Sequence, residues 1–114
     1  MTVSSFEWEA AGDAEARRDR GALADATCVV TGGSRGIGRA IAAELGAAGA
    51  NVVVNYRSSA NRATAVAEAI DDAGEGAATA VRADVSDLDA VESMATTVRE
   101  RFGRIDVLVN NAGI

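Results

Sequence analysis

The chain has 114 residues, which is enough for one small domain with one hydrophobic core and too few for two. Its formal net charge is −6, and every positive side chain is an arginine, because the sequence contains no lysine. Arginines scattered along an acidic chain do not form the basic face that nucleic-acid binding requires, so we expect no nucleic-acid partner. No apolar stretch approaches the roughly 18 residues of a membrane span, and the N-terminus lacks the pattern of a signal peptide. These features predict a cytoplasmic protein without a membrane partner.

The first 24 residues differ in composition from the rest of the chain. They are rich in Glu, Asp, Arg and Ala and contain no run of alternating apolar residues. We predict a polar, acidic extension over residues 1–24, part helix and part disorder, with Phe6 and Trp8 as candidate anchor points. Two interpretations remain open: a surface arm or a misplaced start codon, and a segment that binds a specific partner. Residues 25–114 are predicted to form the folded domain.

Beyond residue 25, short apolar runs alternate with helical patterns, which is typical of successive βαβ units and a parallel sheet. Right-handed crossovers then give the strand order 3-2-1-4. The fold class predicted is therefore α/β, a Rossmann-type doubly wound parallel sheet truncated after the fourth strand. Cys28, the single cysteine, lies in an apolar run and is predicted to be a small core residue. The predicted strands cover residues 27–31, 51–56, a part of 77–85, and 105–110.

Three helices are predicted between these strands. The first runs from about residue 37 to 48, with Ile37, Ile41 and Leu45 spaced on one apolar face. The second begins at a cap on Ser59 or Asn61 and ends near residue 73. The third opens with a Ser86 to Asp89 capping box and ends near residue 102. The apolar fourth strand is expected to have an unpaired outer edge.

A glycine-rich turn joins the first strand to the first helix. The segment from Thr31 to Gly38 reads T-G-G-S-R-G-I-G, and its glycines at positions 32, 36 and 38 give the spacing G-x-x-x-G-x-G. A turn of this kind brings backbone N–H groups and the positive end of a helix dipole to an anion. At each glycine a Cβ would obstruct a left-handed backbone, the close approach of phosphate, or the close packing of helix on strand. A strand, a glycine turn and a helix within one βαβ unit predict a dinucleotide site, although packing alone can also favour glycine here.

Two other phosphate-binding families do not fit this turn. A P-loop ends in Gly-Lys-Ser/Thr, whereas this turn continues as Gly38, Arg39 and Ala40. A Rossmann methyltransferase would place a carboxylate at the end of the second strand, and none is present there.

The same missing carboxylate predicts which nicotinamide cofactor binds. Domains that select NAD carry Asp or Glu about 20 residues beyond the glycines, whereas an arginine nearby accommodates the 2′-phosphate of NADP. Here the stretch from residue 55 to 58 reads Asn-Tyr-Arg-Ser. Arg57, together with Arg35 of the glycine turn, can form charge-assisted hydrogen bonds to phosphate, so NADP is favoured over NAD. The alternative is that either arginine is only a solvated surface charge.

Taken together, these residues make the chain resemble the N-terminal half of a short-chain dehydrogenase/reductase, and its motifs are most similar to those of 3-oxoacyl-[acyl-carrier-protein] reductases. The resemblance covers roughly residues 23–114 and consists of T-G-G-S-R-G-I-G, N-Y-R, the pair Asp84-Val85, and N-N-A-G from residue 110 to 113. It implies that Asp84 and Val85 flank the adenine ring, although Asp84 can also be read as a turn carboxylate. Asn110 is interpreted as mainly structural. The predicted cofactor-contacting residues are Gly32, Ser34, Arg35, Gly36, Ile37, Gly38, Tyr56, Arg57, Asp84, Val85, Asn111, Ala112 and Gly113.

The resemblance also implies an activity: NADPH-dependent reduction of a carbonyl, such as a 3-oxoacyl thioester, by hydride transfer in a homo-oligomeric parent enzyme. The Ser, Tyr and Lys that such enzymes use would lie beyond residue 114. Tyr56 is the only tyrosine and no lysine exists to complete Y-x-x-x-K, so we predict no catalytic residue in this chain. We also predict no metal site.

Three explanations for the short chain stay open: a truncated or frameshifted coding sequence, a fragment, and a second chain that supplies the other half. The alternative function is a catalytically inactive fragment that binds nucleotide or pairs with a second copy through its fourth strand.

Overall fold

The structure is a computed structural model and describes residues 21–111. Within this range all strands are parallel and their order is β3-β2-β1-β4, which confirms the predicted fold class and strand order. Residues 1–20 of the predicted 1–24 extension, including Phe6 and Trp8, lie outside the described residues, as do Ala112 and Gly113. The elements are β1 (Thr27–Val30), α1 (Gly36–Ala47), β2 (Asn51–Tyr56), α2 (Ala60–Ala73), β3 (Ala78–Arg82), α3 (Leu88–Phe102) and β4 (Val107–Val109).

The helices cover both faces of the sheet, because successive residues of a strand point to opposite sides. On one face, Val30 and Val54 pack with side chains of α1 and α2, and Cys28 is fully buried there, as predicted. On the other face, Val29 and Val53 pack against α3. Neighbouring residues of one strand therefore belong to different cores, which explains why β1 and β2 are apolar almost without interruption.

The predicted apolar face of α1 is wrong at its first position. Ile41 and Leu45 pack against the core, but Ile37 is 68% exposed. Because α1 begins at Gly36, Ile37 lies in the first turn of the helix, before the part that packs against the core. The residues of α1 that are fully buried are small: Gly38, Ala42 and Gly46.

The predicted cap of α3 is also wrong. Its N-cap is Asp87, whose carboxylate accepts hydrogen bonds from the N–H groups of Asp89 (3.0 Å) and Ala90 (3.4 Å). Ser86 instead donates its hydroxyl to Asp84 at 2.6 Å. Aspartate at the N-cap also places negative charge at the positive end of the helix dipole, which favours it over serine.

A partly buried hydrogen bond to Asp106, the residue before β4, holds this segment to β1 in addition to the sheet pairing. The backbone N–H of Thr27 donates to Oδ2 of Asp106 at 2.8 Å, and Arg104 donates to the other carboxylate oxygen. Partial burial raises the pKa of Asp106, but the hydrogen bonds from Arg104 and Thr27 outweigh it, and the pKa lies below its ordinary value. In the part of the chain that the structure describes, β4 pairs only with β1, and Leu108 is 63% exposed. None of the described helices is long and apolar enough to cross a membrane.

Candidate functional site

A cleft of about 790 Å³ opens where β1, β2 and β3 reach their carboxyl ends. Ligands bind at this edge in open parallel sheets, because the loops that follow the strands meet there. The cleft brings together the described residues predicted to contact a cofactor, except Gly38. Its lining consists of Gly32, Ser34, Arg35, Gly36, Ile37, Asn55, Tyr56, Arg57, Ser58, Ser59, Ala83, Asp84, Val85, Ser86 and Asn111.

The glycine turn forms one wall of the cleft. Gly32 and Gly36 have φ values of +63° and +60°, a backbone conformation that glycine adopts without the penalty of a Cβ. The N–H of Gly33 donates to the carbonyl of Asn55 at 3.1 Å, which joins the turn to β2. The turn is thus held against the carboxyl end of the sheet.

The N-terminus of α1 is free to bind an anion. Arg35 occupies the N-cap position with an extended backbone, but among the described side chains none caps the first N–H groups, and the first turn of α1 holds no acidic residue. A helix start of this kind leaves unsatisfied donors and a partial positive charge. It therefore suits a phosphate group lying in the cleft.

Gly38 lies beneath the glycine turn instead of lining the cleft. It is buried, and a Cβ added there would collide with the carbonyl oxygen of Gly32 and would lie 2.6 Å from Nδ2 of Asn111. Its glycine is therefore required for close packing of α1 against the turn. The sequence analysis had predicted that Gly38 contacts the cofactor.

Asn111 connects the end of β4 to the glycine turn. Its side-chain amide donates to the carbonyl of Gly32 at 3.1 Å, and its backbone N–H donates to Oγ1 of Thr31 at 2.9 Å. The structural role predicted for Asn110 thus falls to Asn111, since Asn110 is exposed. Asn111 also lines the cleft, so one side chain shapes the wall and contributes to it.

The end of β2 contributes Asn55, Tyr56 and Arg57 to the cleft. Asn55 is fully buried, and its amide donates to the carbonyls of Val81 and Ala83, each at 3.2 Å. These bonds tie the ends of β2 and β3 together. The sequence analysis missed Asn55, although a polar residue ending an otherwise apolar strand is a signal that could have found it.

Asp84 lines the cleft and lies in a tight turn after β3. Its Oδ1 accepts hydrogen bonds from the hydroxyl of Ser86 at 2.6 Å and from the N–H of Ser86 at 2.9 Å, while Oδ2 lies 3.7 Å from Nε of Arg57. The hydrogen bonds from Ser86 lower the pKa of Asp84, and Arg57 and Arg82 add to this. The carboxylate is therefore ionised at neutral pH. Asp84 is thus a turn carboxylate that also lines the cleft, and its contact with adenine stays a prediction.

Comparison with known proteins agrees with this geometry. A family model described as "short chain dehydrogenase" matches residues 26–114. The chain belongs to the short-chain dehydrogenase family. The glycine turn, the cleft and the 3-2-1-4 sheet are thus the N-terminal part of a short-chain dehydrogenase fold.

Several members of the short-chain dehydrogenase family match closely. A 3-oxoacyl-[acyl-carrier-protein] reductase of Synechocystis sp. is 52% identical over 94 residues, which are 82% of this chain and 37% of the relative. A 3beta-hydroxysteroid dehydrogenase of Eggerthella lenta is 50% identical over 88 residues, covering 77% of this chain and 33% of that protein. The chain thus spans little more than a third of the length of the curated relatives it matches.

Solved structures give the same result. A short chain dehydrogenase from Burkholderia cenocepacia, solved in complex with NADP, superposes with a TM-score of 0.76 and 50% identity, over 81% of this chain and 37% of the other. A dehydrogenase/reductase from Sinorhizobium meliloti superposes with a TM-score of 0.77 at 50% identity, over 81% of this chain and 36% of the other. The chain is short relative to both structures.

Proposed function

We propose that this chain binds NADP(H) in the cleft and is the cofactor-binding half of a short-chain dehydrogenase that reduces a carbonyl. One observation carries the proposal: the uncapped N-terminus of α1 and the side chains of Arg35 and Arg57 lie along one cleft. A dinucleotide presents a pyrophosphate and a ribose phosphate, and these are the anions that a helix N-terminus and guanidinium groups bind.

The residues present fit such a cofactor. The N–H groups at the start of α1 would bind the pyrophosphate, and Gly36 leaves room for it, since a Cβ built at this position has nothing within 4 Å. Asp84 and Val85 would flank the adenine, while Ile37 and Asn111 would line the wall opposite. Gly38 would act indirectly, by allowing α1 to approach the turn. The neighbour complexes with NADP support this placement.

Preference for NADP over NAD rests on the end of β2. This position holds Asn55, Tyr56 and Arg57 instead of the carboxylate that would accept a hydrogen bond from a free 2′-hydroxyl. Arg57 is largely exposed and can reach a 2′-phosphate, and Arg35 lines the same cleft. Both guanidinium groups can form paired hydrogen bonds with phosphate oxygens.

The bound cofactor would supply a hydride to the carbonyl carbon of a 3-oxoacyl thioester or a similar ketone. The residues of this chain bind and orient that cofactor at its adenosine and pyrophosphate end. No Y-x-x-x-K occurs in the sequence, so a positioned proton donor of that type is not available here. We therefore expect binding without ketone reduction by the 114-residue chain alone.

Calorimetric titration of the 114-residue chain with NADPH and NADH tests the proposal. We expect NADPH to bind more tightly than NADH. Because Arg57→Gln removes one charge-assisted contact with the phosphate, it should weaken NADPH binding by about tenfold and change NADH binding less than about twofold. Arg99→Gln in the last turn of α3 is the matched control and should change neither. Equal affinity for the two cofactors would contradict the preference for NADP.

A second candidate function is favoured by the exposed edge of β4. Leu108 is 63% exposed on this strand, and two copies pairing through it would form one continuous sheet with two-fold symmetry. Light scattering at micromolar concentration should then give a dimer mass, and Leu108→Asp should give a monomer. A monomer mass for the unaltered chain would exclude this pairing.

A further inference from the structure

Arg57 and Asp84 form a pair that connects the part of the cleft expected to hold a ribose phosphate with the part expected to hold the adenine. Arg57 follows β2, at the position that would meet a ribose phosphate, whereas Asp84 follows β3 beside the position of the adenine. Their side chains approach to 3.7 Å between Nε and Oδ2. One guanidinium is thus close to a fixed anion before any nucleotide binds.

The two partners differ in freedom. The side chain of Arg57 is 78% exposed and that of Asp84 only 38% exposed. Oδ1 of Asp84 is occupied by two hydrogen bonds from Ser86, and the carbonyl of Asp84 accepts a further bond from Asp87 at 3.0 Å. The guanidinium can therefore move toward a ligand, while the carboxylate is held in the lining of the cleft with Oδ2 near Arg57.

A fixed carboxylate at this place acts against a second anion. A nucleotide with a phosphate on its ribose would need Arg57, which Asp84 already attracts, and would also be repelled by the charge of Asp84 itself. A nucleotide with a free hydroxyl there meets neither effect. The carboxylate therefore weakens binding of the phosphorylated nucleotide more than binding of the unphosphorylated one.

We propose that Asp84 is a specificity-determining residue that limits the preference of this cleft for a phosphorylated ribose, and that Ser86 positions it by holding Oδ1. This inference rests on the proposed function, because it concerns the same nucleotide site. It assigns Asp84 an electrostatic effect on the phosphate in addition to contact with the adenine, and it brings Ser86 into the site.

Two nucleotides that differ only in the 2′-phosphate test the inference: adenosine 2′,5′-bisphosphate and adenosine 5′-monophosphate. The measured quantity is the ratio of their affinities for the 114-residue chain, obtained by calorimetry. Asp84→Asn removes the charge and keeps the shape, so the ratio in favour of the bisphosphate should rise about three- to tenfold. In the background of Arg57→Gln the rise should be smaller, because the competition for the guanidinium is then absent.

Ser86→Ala is the second variant. It lies at an exposed turn position, keeps the charge of Asp84 and removes only the 2.6 Å hydrogen bond from the hydroxyl. The carboxylate can then turn away from the phosphate, and the ratio should rise in the same direction by about twofold, less than in Asp84→Asn. Asp72→Asn, at the other end of α2, removes one charge far from the cleft and should leave the ratio unchanged.

The outcomes separate the two claims. If both nucleotides bind the unaltered chain and the ratio is unchanged or falls in Asp84→Asn and Ser86→Ala, the role of Asp84 is overturned while the nucleotide site stands. If neither nucleotide binds the unaltered, folded chain, the proposed function fails and this inference fails with it. A rise of the same size in Asp72→Asn would also overturn it, because net charge alone would then explain the effect.

Discussion

The side-chain amide of Asn111 donates a hydrogen bond to the carbonyl oxygen of Gly32, which lies 79 positions earlier in the sequence. The first glycine of the turn is therefore held by a residue that follows the last described strand. Its neighbour Thr31 is joined to the same segment, since Thr31 accepts from the Asn111 N–H and donates to the carbonyl of Val109. The shape of the cleft depends on this connection between β1 and β4.

Asn111→Ala should lower the free energy of unfolding by about 1–2 kcal/mol, because it leaves the carbonyl of Gly32 without its partner. It should also weaken NADPH binding, since the turn loses its brace. Urea unfolding followed by circular dichroism measures the first effect, and calorimetry the second. Asn110→Ala is the matched control; its exposed side chain should cost less than about 0.5 kcal/mol. Equal losses in the two variants would contradict the bracing role.

Gly38→Ala should cost about 2–3 kcal/mol of stability, because the new methyl group collides with Gly32 and Asn111 in a closely packed region. Gly36→Ala has open space around it and should cost only the backbone strain of its positive φ, about 1 kcal/mol. Denaturant midpoints of the two variants, measured side by side, give the order. The prediction is wrong if Gly36→Ala proves the more destabilising of the two.

The thiol of Cys28 should make stability fall in alkaline solution. Burial, and to a smaller extent the charge of Asp106, raises the pKa of Cys28 from 9.0 to about 11. The folded state therefore keeps the neutral thiol, and its advantage is complete below about pH 9 and is lost as pH rises toward 11. Unfolding free energies measured between pH 8 and pH 11 should decline, and the decline should be shallower in Cys28→Ala. A thiol reagent that modifies the folded protein as fast as the unfolded one would contradict the burial.

Asp106 should contribute to stability in the opposite pH range. Its pKa is lowered in the folded state, so its contribution is present above its ordinary pKa near 4 and is lost as pH falls through the folded value. Asp106→Asn should flatten the acid limb of the stability curve, because the charge that bonds Thr27 and Arg104 is gone. Asp89→Asn, on the exposed first turn of α3, serves as the control and should retain the steep limb.

Much of the fold followed from local patterns. The apolar runs at residues 27–30 and 51–56 are strands because their side chains fill cores on both faces of the sheet, and the handedness of the crossovers then fixes the order. The glycine spacing likewise located the turn. These features are local or follow from a general rule of chain geometry, which is why one sequence is sufficient to predict them.

The remaining features depend on contacts between residues that are distant in the sequence, or on two adjacent residues that can fill the same role. Ile37 has the correct helical spacing, yet it lies in the first turn of α1, where it lines the cleft and is exposed. Ser86 and Asp87 both suit an N-cap, and the outcome depended on Asp84, which takes the hydroxyl of Ser86. Close packing was among the roles predicted for the glycines of the turn, but the spacing could not identify Asn111, which is distant in the sequence, as a residue that a Cβ at Gly38 would meet. Asn55 could have been predicted as a site residue, because it is a polar residue in an otherwise apolar strand.

The position of β1 between β2 and β4 has a consequence for the order of folding. Thr27 pairs with Asn51, 24 positions away (27 to 51), whereas Cys28 pairs with Val107, 79 positions away (28 to 107). Closing the longer loop costs more chain entropy, so β1, β2 and β3 can assemble with α1 and α2 while β4 is still unattached. The glycine turn gains its brace from Asn111 only after β4 docks. We therefore expect the nucleotide cleft to be the last part of the described chain to take its final shape.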